Sequence, residues 1–200
     1  MTDTLKSVSE LTALEIRDHL LSGQETVEEF TAKLGQFADA TDQGIKAFAH
    51  RDDRVVALQA DNLQRERAAG HLPGALYGVP VAVKDIIDTI DFPTEYGSPI
   101  HQGRFSVGDA TVVARLRAAG AVLFGKTVTT EFATTQPGLT CNPHNVNHTP
   151  GGSSSGSAAA VAAGMVPVPL GTQTNGSVTR AASFSRVYAF EPSRVLLPPA

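Results

Sequence analysis

Two stretches of this chain alternate glycine with hydroxyl side chains: G-G-S-S-S-G-S at Gly151 to Ser157 and G-T-Q-T-N-G-S at Gly171 to Ser177. Glycine-rich turns expose backbone N–H groups and let a reacting group come close. A serine in such a turn becomes a nucleophile once a base removes its proton. Neither cluster contains histidine, so a Ser-His-Asp arrangement has no local support, and lysine is the other candidate base. Lys84 closes the apolar run V-A-V-K-D at Val81 to Asp85. To accept a proton it must be neutral, which requires burial to lower its pKa from about 10.4 to near 7.

Three other patterns suggest competing chemistry. Gly120-x-x-x-x-Gly125-Lys126-Thr127 fits the phosphate-binding loop pattern, but its intervening Ala-Val-Leu-Phe reads as a strand. A phosphate cradle needs a loop there. His144 and His148 are four residues apart, yet they lie in a Pro/Asn-rich segment without helical phasing or a nearby carboxylate, so they read as surface histidines. Cys141 as a nucleophile lacks any surrounding motif.

The elements that must carry these residues follow from caps and periodicity. Ser7-x-x-Glu10 reads as a capping box ahead of Leu11, Leu14, Leu20 and Leu21. Thr26-x-x-Glu29 opens a second helix with Phe30, Leu34 and Phe37 on one face. A third starts at Asp52 or Asp53 and runs to Gly70. From Leu76 strands and helices alternate: strand Val79 to Val83, helix Ala110 to Ala119, strand Ala121 to Phe124, helix Ser155 to Ala163 and strand Val166 to Leu170. This order predicts an α/β sheet with helical crossovers. No linker, repeat or low-complexity tract interrupts it, so residues 1–200 are expected to form a single domain.

Four motifs together resemble the amidase signature family, whose members hydrolyse amides with a Ser–cis-Ser–Lys triad. They are G-V-P-V-A-V-K-D (Gly78 to Asp85), A-G-A-V-L-F-G-K-T (Ala119 to Thr127), P-G-G-S-S-S-G-S-A-A-A-V (Pro150 to Val161) and G-T-Q-T-N-G-S (Gly171 to Ser177). They occur in the family's order, and the likeness runs from about Ser9 to Phe184. The resemblance implies that Ser177 is the nucleophile, Ser153 the bridging serine after a cis Gly152–Ser153 peptide, and Lys84 the base. It implies an oxyanion hole built from the N–H groups of Thr174, Asn175, Gly176 and Ser177. Asn175 stands where the family often has glycine, and asparagine tolerates positive φ better than most residues.

For the whole chain the resemblance implies N-terminal helices followed by part of a mixed sheet, with the chain ending about halfway through a usual member. The segment beyond would supply the remaining strands and much of the substrate pocket. The implied reaction is hydrolysis of a small-molecule amide through an acyl-enzyme, with no cofactor and no metal, in a protein that could form a homodimer. One alternative is an amidotransferase A-type subunit that releases ammonia for a partner. Gln173 counts against it, because those subunits resemble G-S-D-T-G-G-S at that point. Another is a truncated, inactive copy unable to fold alone.

The departures from the family pattern follow Ser177: Ala181 replaces proline, Arg186 and Ala189 replace glycines, Tyr188 replaces valine and Glu191 replaces lysine. Arg186 is expected to overpack the interior or bury a charge.

Composition sets outer bounds. Two hundred residues at 42% hydrophobic content suffice for a substantial core. A net charge of −4 argues against nucleic acid or an anionic membrane as partner. The single cysteine fits a reducing compartment. A polar start, M-T-D-T-L-K-S, lacks the pattern of a secretory signal, and no run approaches 18 apolar residues. The expected location is the cytoplasm.

Overall fold

A computed structural model describes residues 8–193. Helix α1 spans Ala13–Ser22 and α2 spans Val27–Ile45, each opened by a complete capping box, Thr12 with Glu15 and Thr26 with Glu29. The first box differs from the sequence reading. Thr12 takes the cap because its hydroxyl accepts from the Glu15 N–H while Glu15 reaches back to the Thr12 N–H; Ser7 lies outside the described residues. With that phase Ile16 and Leu20 are buried and Leu14 is 59% exposed. Helix α3, Asp53–Ala68, is capped by Asp52 as its sequence suggests.

Between α2 and α3 lies a strand the sequence did not reveal, β1 at Phe48–His50. Three residues are too few to show a period of two. Strand β2 spans Pro80–Lys84, α4 Thr111–Ala118, β3 Val122–Thr127, α5 Ser155–Ala162, β4 Val168–Leu170 and α6 Thr179–Ser185. The sheet order is β1-β3-β2-β4, with β1 antiparallel to β3 and β2 parallel to both of its neighbours. The architecture is therefore mixed α/β. Proline is tolerated at Pro169 because β4 lies at the sheet edge.

Every residue of β2 and β3 is buried, as expected of central strands covered on both faces. On one face Ala82, Val122 and Phe124 join Ile16, Leu20, Phe30 and Leu34 of the first two helices and Ala159 and Ala160 of α5. On the other, Val79, Val81, Val83 and Leu123 pack with Val113 of α4. The same alternation puts Lys84, the last residue of β2, on the face of Ala82, the side covered by α5.

Arg186 does not meet its expectation. It terminates α6 in the left-handed region (φ 56°, ψ 41°) with its side chain exposed. The glycine it replaces would fit that helix-ending conformation without a Cβ penalty. The substitution therefore costs backbone energy, about 1–2 kcal/mol, and buries no charge.

Candidate active site

The end of β2 delivers Lys84 into a fully buried position. Its Nζ donates to Ser153 Oγ at 2.6 Å and to Thr172 Oγ1 at 2.8 Å. Burial lowers its pKa from 10.5 to about 8. Losing the proton relieves the cost of a desolvated ammonium, so the neutral form becomes accessible near physiological pH.

Ser153 sits in the turn that leads into α5, with only 2% of its surface exposed. The preceding Gly152–Ser153 peptide is cis. A Cβ on Gly152 would stand 2.9 Å from Thr130 Cγ2, so a larger residue there would have to displace the Thr130 side chain. The Ser153 carbonyl accepts from the Thr130 N–H at 3.1 Å. One hydroxyl is thus held at both ends, by its backbone and by Lys84.

The two Gly/Ser clusters meet through a residue the sequence reading passed over. Ser154 N–H donates to the Ser177 carbonyl at 3.2 Å, and Ser154 Oγ donates to the Thr172 carbonyl at 3.2 Å. The other serines of the first cluster are occupied: Ser155 Oγ donates to the Val128 carbonyl, and Ser157 Oγ to the Leu170 carbonyl while also meeting Thr127 Oγ1. Thr172 was likewise missed as a partner of Lys84. Its only sequence signal is membership of the second cluster.

Ser177 is half-buried at the turn before α6, and its hydroxyl makes no hydrogen bond to another described residue. Lys84 and Ser153 are thus directly bonded, whereas Ser177 is tied to them through the backbone of Ser154. Gly176 has φ 88°, Thr174 and Asn175 are exposed, and the N–H groups of Thr174, Asn175, Gly176 and Ser177 donate to no described residue. Behind them Gln173 Oε1 accepts from the Val178 N–H at 2.8 Å and the Thr179 N–H at 2.9 Å, and Gln173 Nε2 donates to Glu191. Gln173 therefore caps the start of α6 and fixes the turn.

The competing patterns resolve on the same geometry. Gly125, Lys126 and Thr127 belong to β3, and Lys126 is fully buried, donating to Thr94 Oγ1 at 2.6 Å and pairing with Asp85 at 3.2 Å. Nothing there can wrap a phosphate. His144 Nε2 contacts the Ser185 carbonyl at 2.9 Å. Among the described residues the one grouping of potential metal ligands is His50, Asp85 and Glu95. The Lys126 ammonium already occupies the Asp85 carboxylate, and the Glu95 N–H donates to the same group. Asp85 is thus the buried half of an ion pair with Lys126, while the half-buried His50 Nε2 and Glu95 Oε2 meet each other at 3.0 Å.

Comparison with known proteins agrees in one direction. A family model described as "Amidase" matches residues 25–200. Among curated proteins, the A subunit of the glutamyl-tRNA(Gln) amidotransferase of Rhodopirellula baltica is 42% identical over 187 residues, covering 90% of this chain and 38% of that protein. The protein of the same name from Mycobacterium tuberculosis is 40% identical over 202 residues, covering 96% and 40%. Among solved structures, the native peptide amidase of Stenotrophomonas maltophilia superposes with a TM-score of 0.82 at 34% identity, covering 88% of this chain and 39% of that one. The chain spans about two fifths of the length of the curated relatives it matches.

Proposed function

The chain belongs to the amidase family, and on that premise we propose that it carries the catalytic relay of an amide hydrolase, with Ser177 as nucleophile, Ser153 as bridge and Lys84 as base. The observation that carries this reading is the 2.6 Å bond from a buried, readily neutral lysine to a buried serine hydroxyl beside an unengaged serine. Ser177 Oγ attacks the amide carbonyl while its proton passes to Ser153, whose own proton passes to neutral Lys84. The N–H groups of Thr174, Asn175, Gly176 and Ser177 face the oxygen that becomes negative, a role in which each donor is worth about 3 kcal/mol. Return of the proton through Ser153 to the leaving nitrogen frees the amine. Water, deprotonated by the same route, then releases the acid from the acyl-enzyme.

The substrate on this reading is a small-molecule amide, and no helix among the described residues is long and apolar enough to cross a membrane. A cytoplasmic location and a homodimeric state are parts of the same proposal. A second reading, an amidotransferase A-type subunit that releases ammonia for a partner, is favoured by the names of the relatives. The relay would be the same and the nitrogen would go to a partner.

Labelling with a fluorophosphonate tests the relay directly. The adduct is expected on Ser177, lost in Ser177→Ala and slowed 10²- to 10⁴-fold in Ser153→Ala, the range typical of a lost proton-transfer group. An adduct on Ser153 or Ser155 would overturn the assignment. No adduct from a cooperatively unfolding chain would favour an inactive copy. Turnover of glutamine, but not of a small aryl amide, would favour the amidotransferase reading.

A further inference from the structure

The peptide bond that follows Ser177 is held at both of its polar ends. Its carbonyl, on Ser177, accepts from the Ser154 N–H at 3.2 Å, and its N–H, on Val178, donates to Gln173 Oε1 at 2.8 Å. Peptide groups are planar, so clamping both ends sets the backbone torsion on one side of Ser177 and helps to aim its hydroxyl. The first clamp comes from the neighbour of Ser153. The second comes from a side chain that the relay does not use.

Gln173 can serve only if its amide faces one way. Oε1 accepts from the Val178 N–H and also from the Thr179 N–H at 2.9 Å. A half-turn of the amide would keep its shape but set Nε2, a donor, against those two donors. The partner of the nitrogen decides between the two orientations. Gln173 Nε2 donates to the Glu191 carboxylate, which when ionised can only accept. Glu191 is exposed and Gln173 half-buried, so Glu191 reaches the Ser177 turn from the solvent side.

Both residues depart from the patterns that the chain resembles, aspartate at position 173 in A-type subunits and lysine at position 191 in the family. An aspartate carboxylate accepts from backbone N–H groups whichever way it turns, and a lysine donates to it. The Asp–Lys and Gln–Glu couples also join the two Cα atoms through the same number of side-chain bonds. We propose that Gln173 and Glu191 are a matched exchange for that couple and act together as positioning residues that hold the Ser177 turn in its reactive shape. The proposal rests on the relay reading above. Gln173 then no longer weighs against an A-type subunit, because the residue at its partner position has changed with it.

Two readouts on Glu191→Lys, Glu191→Gln and the double variant Gln173→Asp with Glu191→Lys test the pair. Hydrogen exchange of the Val178 and Thr179 amides, followed by NMR, reports the clamp without catalysis. Exchange should quicken about tenfold in Glu191→Lys, which offers Gln173 a donor, and return to within about threefold of the parent in the double variant. Glu191→Gln keeps an acceptor and should match the parent. Fluorophosphonate labelling of Ser177 reports positioning: Glu191→Lys should lower the maximal labelling rate about tenfold to a hundredfold, with the half-saturating probe concentration unchanged. The double variant should restore that rate. Unchanged exchange in Glu191→Lys, or a double variant as fast-exchanging as the single one, would overturn the matched pair. A labelling loss that falls wholly on the half-saturating concentration would overturn the positioning role. A parent chain that takes no label would count against the relay reading, and the exchange of Val178 and Thr179 would still decide the pair.

Discussion

Lys84 and Lys126 stand on adjacent parallel strands, both fully buried, but only Lys126 has a carboxylate partner. Asp85 meets Lys126 at 3.2 Å, while Lys84 donates to the hydroxyls of Ser153 and Thr172. Burial pushes Asp85 up and Lys126 down from their usual ranges, and each opposes the other's shift with its charge. Lys84 lacks such a counterweight, and burial alone takes it to about 8. Two lysines in similarly dry surroundings thereby differ: Lys126 is held in an ion pair, and Lys84 is left readily neutral, as the proposed relay requires.

The pH dependence follows with a definite sign. Turnover of a small aryl amide should rise as pH increases through about 8, where Lys84 loses its proton, and then level off. Lys84→Ala should abolish it with the fold retained. Stability moves the same way: as pH falls from 10.5 towards 8 the unfolded chain takes up the proton first, so folding weakens by about 3 kcal/mol. A pH–rate profile and denaturant titrations at pH 7.5 and 10.5 would check both; a rate that is flat from pH 6 to 10 would remove lysine from the mechanism.

Removing Asp85 should strand the Lys126 charge in the interior. We expect Asp85→Ala to cost about 3–5 kcal/mol, and Asp85→Ala combined with Lys126→Met to recover most of that loss. Urea unfolding of the two variants measures the difference. A single variant costing under about 1 kcal/mol would show that Thr94 and the Pro93 carbonyl, the other acceptors of Lys126, are sufficient by themselves.

Gly156 lets α5 approach the sheet. A Cβ there would stand inside contact distance of the Ala47 carbonyl and of the Val128 backbone, neither of which can rotate away. Gly156→Ala is therefore expected to destabilise the chain by about 3 kcal/mol, at the upper end for overpacking, and to disturb the Ser153 turn that opens the helix. A thermal melt unchanged within a degree would contradict the packing described.

The place of Lys84 at the end of a buried strand, the positions of most helices and three of the four strand regions were legible in the sequence, because caps, periodicity and glycine-rich turns act over a few residues. The tertiary structure decided what those residues touch. Lys84 reaches Ser153 and Thr172 across 69 and 88 positions, a juxtaposition set by the parallel pairing of β2 with β4 and by the turn into α5. Strand β1 emerges only because β3 offers it a partner. Gln173 and Glu191, two unusual residues when read singly, prove to be hydrogen-bonded to one another. Arg186 escapes the interior because α6 ends on it and turns its side chain to solvent. Local pattern carries no information about such contacts, since burial and hydrogen bonding depend on which distant segment arrives opposite, and that is settled by the packing of the sheet.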